Sequence, residues 1–114
     1  MPGTWSLIWT AEGLVAHGEI DLDAATAFEA QASEAVMLST VGTFLIDLSG
    51  VTFMDSAGLR TLVTLDRATS EDGLYFKVLC GQGHVRRVLR ETGLDGVLSV
   101  VDRSGAIPAS DSPI

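Results

Sequence analysis

Ser56 has the chemistry that matters most if it is used at all. It stands between Asp55 and Ala57-Gly58, where a helical apolar pattern begins. Two roles fit that place. Its hydroxyl can cap the helix by accepting a backbone N–H, and position alone favours this because such caps are common. It can also accept a phosphate. The phosphate would bring about −1.5 to −2 charges to the positive end of the helix dipole, so the fold could survive while a docking surface changes character. A catalytic nucleophile is not expected. The nucleophile elbow needs glycine two places before the serine, and Met54 is there.

The other reactive groups read as structural. His17, His84 and Cys80 lie at unrelated spacings, so no metal or cofactor is expected, and both histidines read as packing or surface residues. Asp47 closes an apolar run, where receiver domains carry their phosphorylated aspartate, but the acidic pair and lysine that such a site needs are missing; a turn-capping carboxylate is the better reading. Glu19, Asp21 and Asp23 would make an acid/base pair or cation site only with a cleft around them, and helix capping on a solvated face is the favoured reading. Arg86, Arg87 and Arg90 fall on the outer side of a helix, opposite Val85, Val88 and Leu89. Gly81-x-Gly83 is too short for a dinucleotide fingerprint. Trp5 and Trp9 share one face of a strand, as core or edge cover. With no catalytic set, the protein is not expected to be an enzyme.

These residues need elements to position them. Trp5–Thr10 and Leu14–His17, separated by Ala11-Glu-Gly13, read as a hairpin that Gly18 ends. Asp21 or Asp23 can cap a helix whose Ala25, Phe28, Ala32 and Ala35 recur at helical steps as far as Leu38. Thr43–Leu48 is nearly continuous in apolar residues, which suggests a strand covered on both faces. Ser49–Ser56 reads as a turn into a second helix through Leu59, Leu62, Val63 and Leu65, with Asp55 and Ser56 as its natural caps. Leu74–Leu79 is a fourth strand, Val85–Leu89 lies in a third helix, and Val97–Val101 is a fifth strand. From Arg103 to Ile114 there is no periodicity, and a flexible C-terminal tail is expected. Alternating strands and helices after a hairpin imply an α/β domain with a mixed, mostly parallel sheet of about five strands and three helices. Sites in such sheets lie at the carboxyl ends of strands, which points to Ser49–Gly58.

Composition narrows the classes. The 114 residues hold 7 Lys+Arg against 15 Asp+Glu, a net charge of −8, with 46% hydrophobic positions. That is one globular domain, neither disordered nor disulfide-framed. The acidic balance argues against nucleic acid and against direct binding to an anionic membrane. Apolar runs are too short for a membrane span, Met1–Thr10 lacks the pattern of a secretory signal, and the single Cys80 suits a reducing compartment, so a cytoplasmic location is expected. Residues 1–59 carry every acid of the unbalanced charge (Glu12, Glu19, Asp21, Asp23, Glu29, Glu34, Asp47 and Asp55) and no Lys or Arg. A surface built from this half would attract a basic partner, and a charge that serves only solubility is the equal alternative.

At Gly18-Glu-Ile-Asp21, Ile46-Asp-Leu-Ser-Gly-Val-Thr-Phe-Met-Asp-Ser-Ala-Gly-Leu59 and Val85-Arg-Arg-Val-Leu89 followed by Thr92-Gly-Leu94, the sequence resembles a STAS domain. The resemblance covers 1–102 apart from the first few residues, leaves 103–114 as the tail, and is greatest to bacterial anti-sigma factor antagonists, or anti-anti-sigma factors. It implies a phosphoprotein of transcription regulation that acts by protein–protein interaction. The unphosphorylated domain would bind an anti-sigma factor serine kinase and release the sigma factor. Phosphorylation of Ser56 would switch it off, and a phosphatase acting on the phosphoserine would restore it. The resemblance also places Asp21, Asp23, Met54, Asp55, Ser56, Ala57, Gly58 and Leu59 in the partner-binding region, with Asp55 orienting the serine and Gly58 admitting the partner's backbone. Ala57 departs from the family, where many members carry a second hydroxyl residue. Gly105, Pro108 and Pro113 oppose the usual final helix, which would leave a sheet face open to a partner or a second copy in a weak homodimer. Two alternatives stay open: a STAS subunit of an ABC-type lipid transport complex, and a small-ligand or nucleotide sensor.

Overall fold

The computed structural model describes residues 4–40 and 42–102. The residues of the expected tail, 103–114, with the question of a final helix, lie outside the described residues. Strands β1 (Trp5–Trp9) and β2 (Gly13–Ile20) form the antiparallel opening pair, joined by a turn in which the Thr10 hydroxyl accepts the N–H groups of Glu12 and Gly13. Helix α1 (Leu22–Leu38), strand β3 (Thr43–Met54), helix α2 (Ser56–Glu71), strand β4 (Tyr75–Leu79), helix α3 (His84–Glu91), a single 3-10 turn (Leu94–Gly96) and strand β5 (Ser99–Val101) follow. The sheet runs β1-β2-β3-β4-β5, antiparallel at its first pair and parallel at every later one. This is the expected architecture of five strands and three helices.

Each parallel crossover steps one strand in the same direction, so right-handed connections put the helices on one side of the sheet. Burial follows. Leu14, Ala16 and Ile20 of β2, Phe44, Ile46 and Leu48 of β3, Phe76 and Val78 of β4 and Val100 of β5 form one cluster with Phe28, Ala32, Ala35 and Val36 of α1, Leu59, Leu62 and Leu65 of α2, and Val85 and Leu89 of α3. Trp5 joins its edge, ring to ring with Phe28 at 6.2 Å, while Trp9 is half exposed. The expectation that β3 is covered on both faces is therefore corrected. Its residues alternate, with Leu45 and Asp47 only half-buried on the opposite face among Val15, Leu79 and exposed Ile8 and Lys77. A helix layer on one side needs period-two burial, and Leu45 merely made the run look continuous.

Three boundaries differ from expectation, each for a local reason. Gly18 does not end β2. It has φ 94 and a Cβ there would stand 2.0 Å from the Thr4 carbonyl oxygen, so glycine lets the strand bend and run on to Ile20. Ser49–Met54 is strand and not turn, pairing with His17–Ile20 across two register shifts, near the first of which the Asp47 carboxylate accepts the Ser49 N–H at 2.8 Å. β5 starts at Ser99, because the N–H groups of Val97 and Leu98 both turn back to the Leu94 carbonyl. One side chain also moves. Arg86 is buried, not on the solvated face, and its guanidinium donates to the Cys80 carbonyl at 3.0 Å and meets the Cys80 sulfur at 3.4 Å. Arg87 and Arg90 are exposed as expected.

Candidate functional site

β2 and β3 end level with each other, Ile20 paired with Met54, and each runs straight into an aspartate and a helix. Asp21 is the N-cap of α1, accepting the Ala24 N–H at 3.1 Å. Asp55 is the N-cap of α2, accepting the N–H groups of Ala57 at 3.0 Å and Gly58 at 3.3 Å. A carboxylate there satisfies amides that have no partner within the helix and lies at the positive end of its dipole. The neighbouring helices are tied by Thr61, whose hydroxyl stands 3.4 Å from the Glu29 carboxylate and 3.3 Å from the Ala57 carbonyl.

With the cap taken by Asp55, Ser56 is the first residue of α2 itself. It is exposed, and its hydroxyl makes no hydrogen bond among the described residues. The expectation that Ser56 caps the helix is thus corrected. The bonds of the Asp55 carboxylate go to backbone amides, and it fixes Ser56 only through the chain.

The residues singled out as partner-facing separate into two sets. Asp21, Asp55 and Ala57 are half-buried, and Asp23 and Ser56 are exposed, so these form the surface at this end. Met54, Gly58 and Leu59 are buried and do not reach it. Gly58 is covered from within the chain. A Cβ on it would stand 2.6 Å from the Met54 Cγ and 3.2 Å from the Ile20 Cγ2, so the glycine lets α2 sit down on the ends of both strands. Glu19, Asp21, Asp23 and Asp55 give this end its negative charge, and Arg60 is exposed one turn into α2.

Three further residues stand at this end, where the sequence does not place them. Leu22, the first residue of α1, is 71% exposed, and Phe53 is 39% exposed. The His84 ring stacks on Phe53 with centroids 5.0 Å apart, and its Nε2 lies 3.2 Å from the Met54 carbonyl oxygen. Leu22 stands three residues before Ala25, at a helical step, so the spacing does not reveal its exposure, and nothing in it links position 84 to 54. His17 goes elsewhere: its ring covers Gly50, where a Cβ would approach it to 2.3 Å. Among the described residues no three His, Cys, Asp or Glu are grouped to hold a metal, and no helix is long and apolar enough to cross a membrane.

A family model described as "Mlab, STAS domain" matches residues 10–102. An anti-sigma factor antagonist from Mycobacterium paratuberculosis is 30% identical, with 87% of this chain and 85% of that one covered and a TM-score of 0.68. The anti-sigma factor antagonist SpoIIAA in its unphosphorylated form shares the fold at 24% identity, with 89% and 90% covered and a TM-score of 0.68. The Bacillus cell fate determinant SpoIIAA in its phosphorylated form does so at 23% identity, with 89% and 94% covered and a TM-score of 0.62.

Proposed function

The chain belongs to the STAS domain family, and from that premise we propose that it is an anti-sigma factor antagonist whose unphosphorylated form binds an anti-sigma factor serine kinase, frees the sigma factor, and is switched off by phosphorylation of Ser56. The observation that carries the reading is the state of that serine. It is exposed at the start of α2 with a hydroxyl that no described residue engages, because Asp55 has already taken the cap. The 30% identity to an anti-sigma factor antagonist supports the choice of partner class.

The chemistry is phosphoryl transfer on the kinase. The Ser56 Oγ attacks the γ-phosphorus of ATP, an Oγ–P bond forms as the bond from phosphorus to the departing ADP oxygen breaks, and the hydroxyl proton passes to a base of the kinase. The protein supplies position only and acts by binding, not catalysis. The added charge falls at the positive end of a helix dipole that favours it, so the domain stays folded. The same charge reverses docking, since a group fitted against the kinase as a small neutral hydroxyl becomes a solvated dianion. A phosphatase completes the cycle, in the cytoplasm.

Intact-mass spectrometry after incubation with ATP and the candidate kinase of the same genome tests this, with Ser56→Ala alongside. One added phosphate, absent from the variant, and weaker kinase binding afterwards are expected. Kinase binding without phosphate would leave Ser56 out of the switch. No kinase binding at all would move the protein to a STAS subunit of an ABC-type lipid transport complex, to be sought by pull-down.

A further inference from the structure

β4 pairs with β3 only as far as Leu79 opposite Asp47, whereas β2 stays beside β3 to Met54. The final stretch of β3 therefore has a strand on one side only. A peptide unit in a strand points its N–H to one side and its C=O to the other. In the unit joining Met54 to Asp55, the N–H of Asp55 donates to the Ile20 carbonyl at 3.3 Å, on the β2 side. The Met54 carbonyl of the same unit faces away from β2, and the His84 Nε2 stands 3.2 Å from it. A carbonyl can only accept, so this contact is a hydrogen bond with the proton on Nε2. The ring is held in place by its stack on Phe53 and by its place at the first position of α3, after Gly83.

We propose that His84 is a positioning residue for Ser56: together with β2 it clamps both ends of the Met54–Asp55 peptide, the unit from which the cap and the serine hang. This rests on the reading of Ser56 as the phosphoacceptor. Asp55 fixes the serine through the backbone alone, so the pitch of the peptide before it sets where the hydroxyl stands. Phosphoryl transfer is sensitive to such placement because alignment of the attacking oxygen supplies much of its rate. Without the imidazole the Met54 carbonyl loses its partner, and the junction is held from the β2 side only.

Two readouts test the clamp. The first needs no kinase: amide hydrogen exchange at Asp55, Ala57 and Gly58, with Ala24 at the α1 cap as the internal control. His84→Ala should speed exchange at the first three and leave Ala24 unchanged, and His84→Gln, whose amide can donate to the same carbonyl, should restore the slow rate. The second is the phosphorylation time course. His84→Ala should lower the maximal rate about 3- to 10-fold, as expected for one hydrogen bond, without loss of kinase affinity, and His84→Gln should recover it. Wild-type exchange at Asp55 in His84→Ala, or an unchanged maximal rate, overturns the proposal. If His84→Ala does not fold, Phe53→Leu, which removes the stack and keeps the apolar side chain, must show the same pattern in weaker form or the proposal falls. A wild-type protein that takes no phosphate overturns the phosphoacceptor reading, and the exchange comparison alone then decides whether His84 holds the peptide.

Discussion

The starts of α1 and α2 are nearly the same structure built twice. Adjacent strands end at Ile20 and Met54, and each is followed by an N-cap aspartate with almost identical backbone angles, φ −96 and ψ −172 at Asp21, φ −97 and ψ −171 at Asp55. All three residues after the cap differ, with exposed Asp23 of α1 standing where α2 has half-buried Ala57. Where α1 has exposed Leu22, α2 has exposed Ser56; where α1 has buried Ala24, α2 has buried Gly58. The cap is thus a generic way to start a helix from a strand end, and it leaves the first helical side chain free of structural duty. What occupies that free position, a leucine or a hydroxyl, sets what each helix start offers a partner.

The largest effect should come from that free position. Ser56→Ala should abolish phosphate incorporation by the kinase while moving stability by no more than about 0.5 kcal/mol, as for an exposed side chain without partners. If the kinase recognises more than a capped helix start, adding Leu22→Ser to Ser56→Ala restores nothing. Phosphate appearing at position 22, read by peptide mass spectrometry, would show that the two starts are equivalent and that the cap motif alone is the substrate.

The third residue after each cap breaks the pair in a second way. Gly58→Ala places a Cβ against Met54 and Ile20, both fully buried, and overpacking of this kind costs about 1–3 kcal/mol. At the matching place in α1 the Cβ already has room, and Ala24→Gly should cost about 1–2 kcal/mol, from helix propensity and the loss of a buried methyl. Chemical denaturation of the two variants gives the comparison directly. A Gly58→Ala protein as stable as the wild type would mean that Met54 can move aside.

Much of this was legible in the sequence, and the misses have physical causes. The element order, the α1 face of Ala25, Phe28, Ala32 and Ala35, and the site at the end of β3 follow from apolar spacing and from Asp, Ser and Gly at the right places. The small and polar residues of Ser49–Met54 suggest a turn, yet the neighbouring β2 supplies hydrogen bonds that outweigh local preference. Arginine usually lies outside, but the Cys80 carbonyl, just beyond the end of β4, draws Arg86 in. Of the site, Asp55 and Ser56 could be named, but not which of them caps, since either residue type serves. His84 could not be found at all. Its position depends on β4 stopping short of the end of β3, a matter of register that no local pattern records.

The caps themselves should differ by less than the residues after them. Asp21→Ala and Asp55→Ala should each cost about 1 kcal/mol, within the range of about 0.5–2 for lost caps, with Asp55 the more costly because two amides depend on it. Asn at either position should recover most of the loss. If Asp21→Ala proves the worse of the two, the second bond at Asp55 contributes nothing, and thermal melts would show it.

The smallest and most specific contrast is electrostatic. A carboxylate at the first position of a helix gains about 0.3–1 kcal/mol from the dipole, so Ser56→Asp and Leu22→Asp would be equal if the two starts differed only in that side chain. Their surroundings say otherwise. An aspartate at position 22 would stand between Asp21 and Asp23, two like charges, with Thr26 one turn on. At position 56 it would have one acidic neighbour, Asp55, and Arg60 one turn on in the geometry that adds about 0.3–0.5 kcal/mol for an ion pair. Ser56→Asp should therefore stabilise and Leu22→Asp should do little. The difference should shrink as salt is raised towards 1 M, where screening shortens to about 3 Å. A gap that survives high salt would have to come from packing, and the favourable seat that the α2 start offers a phosphate would then not be electrostatic.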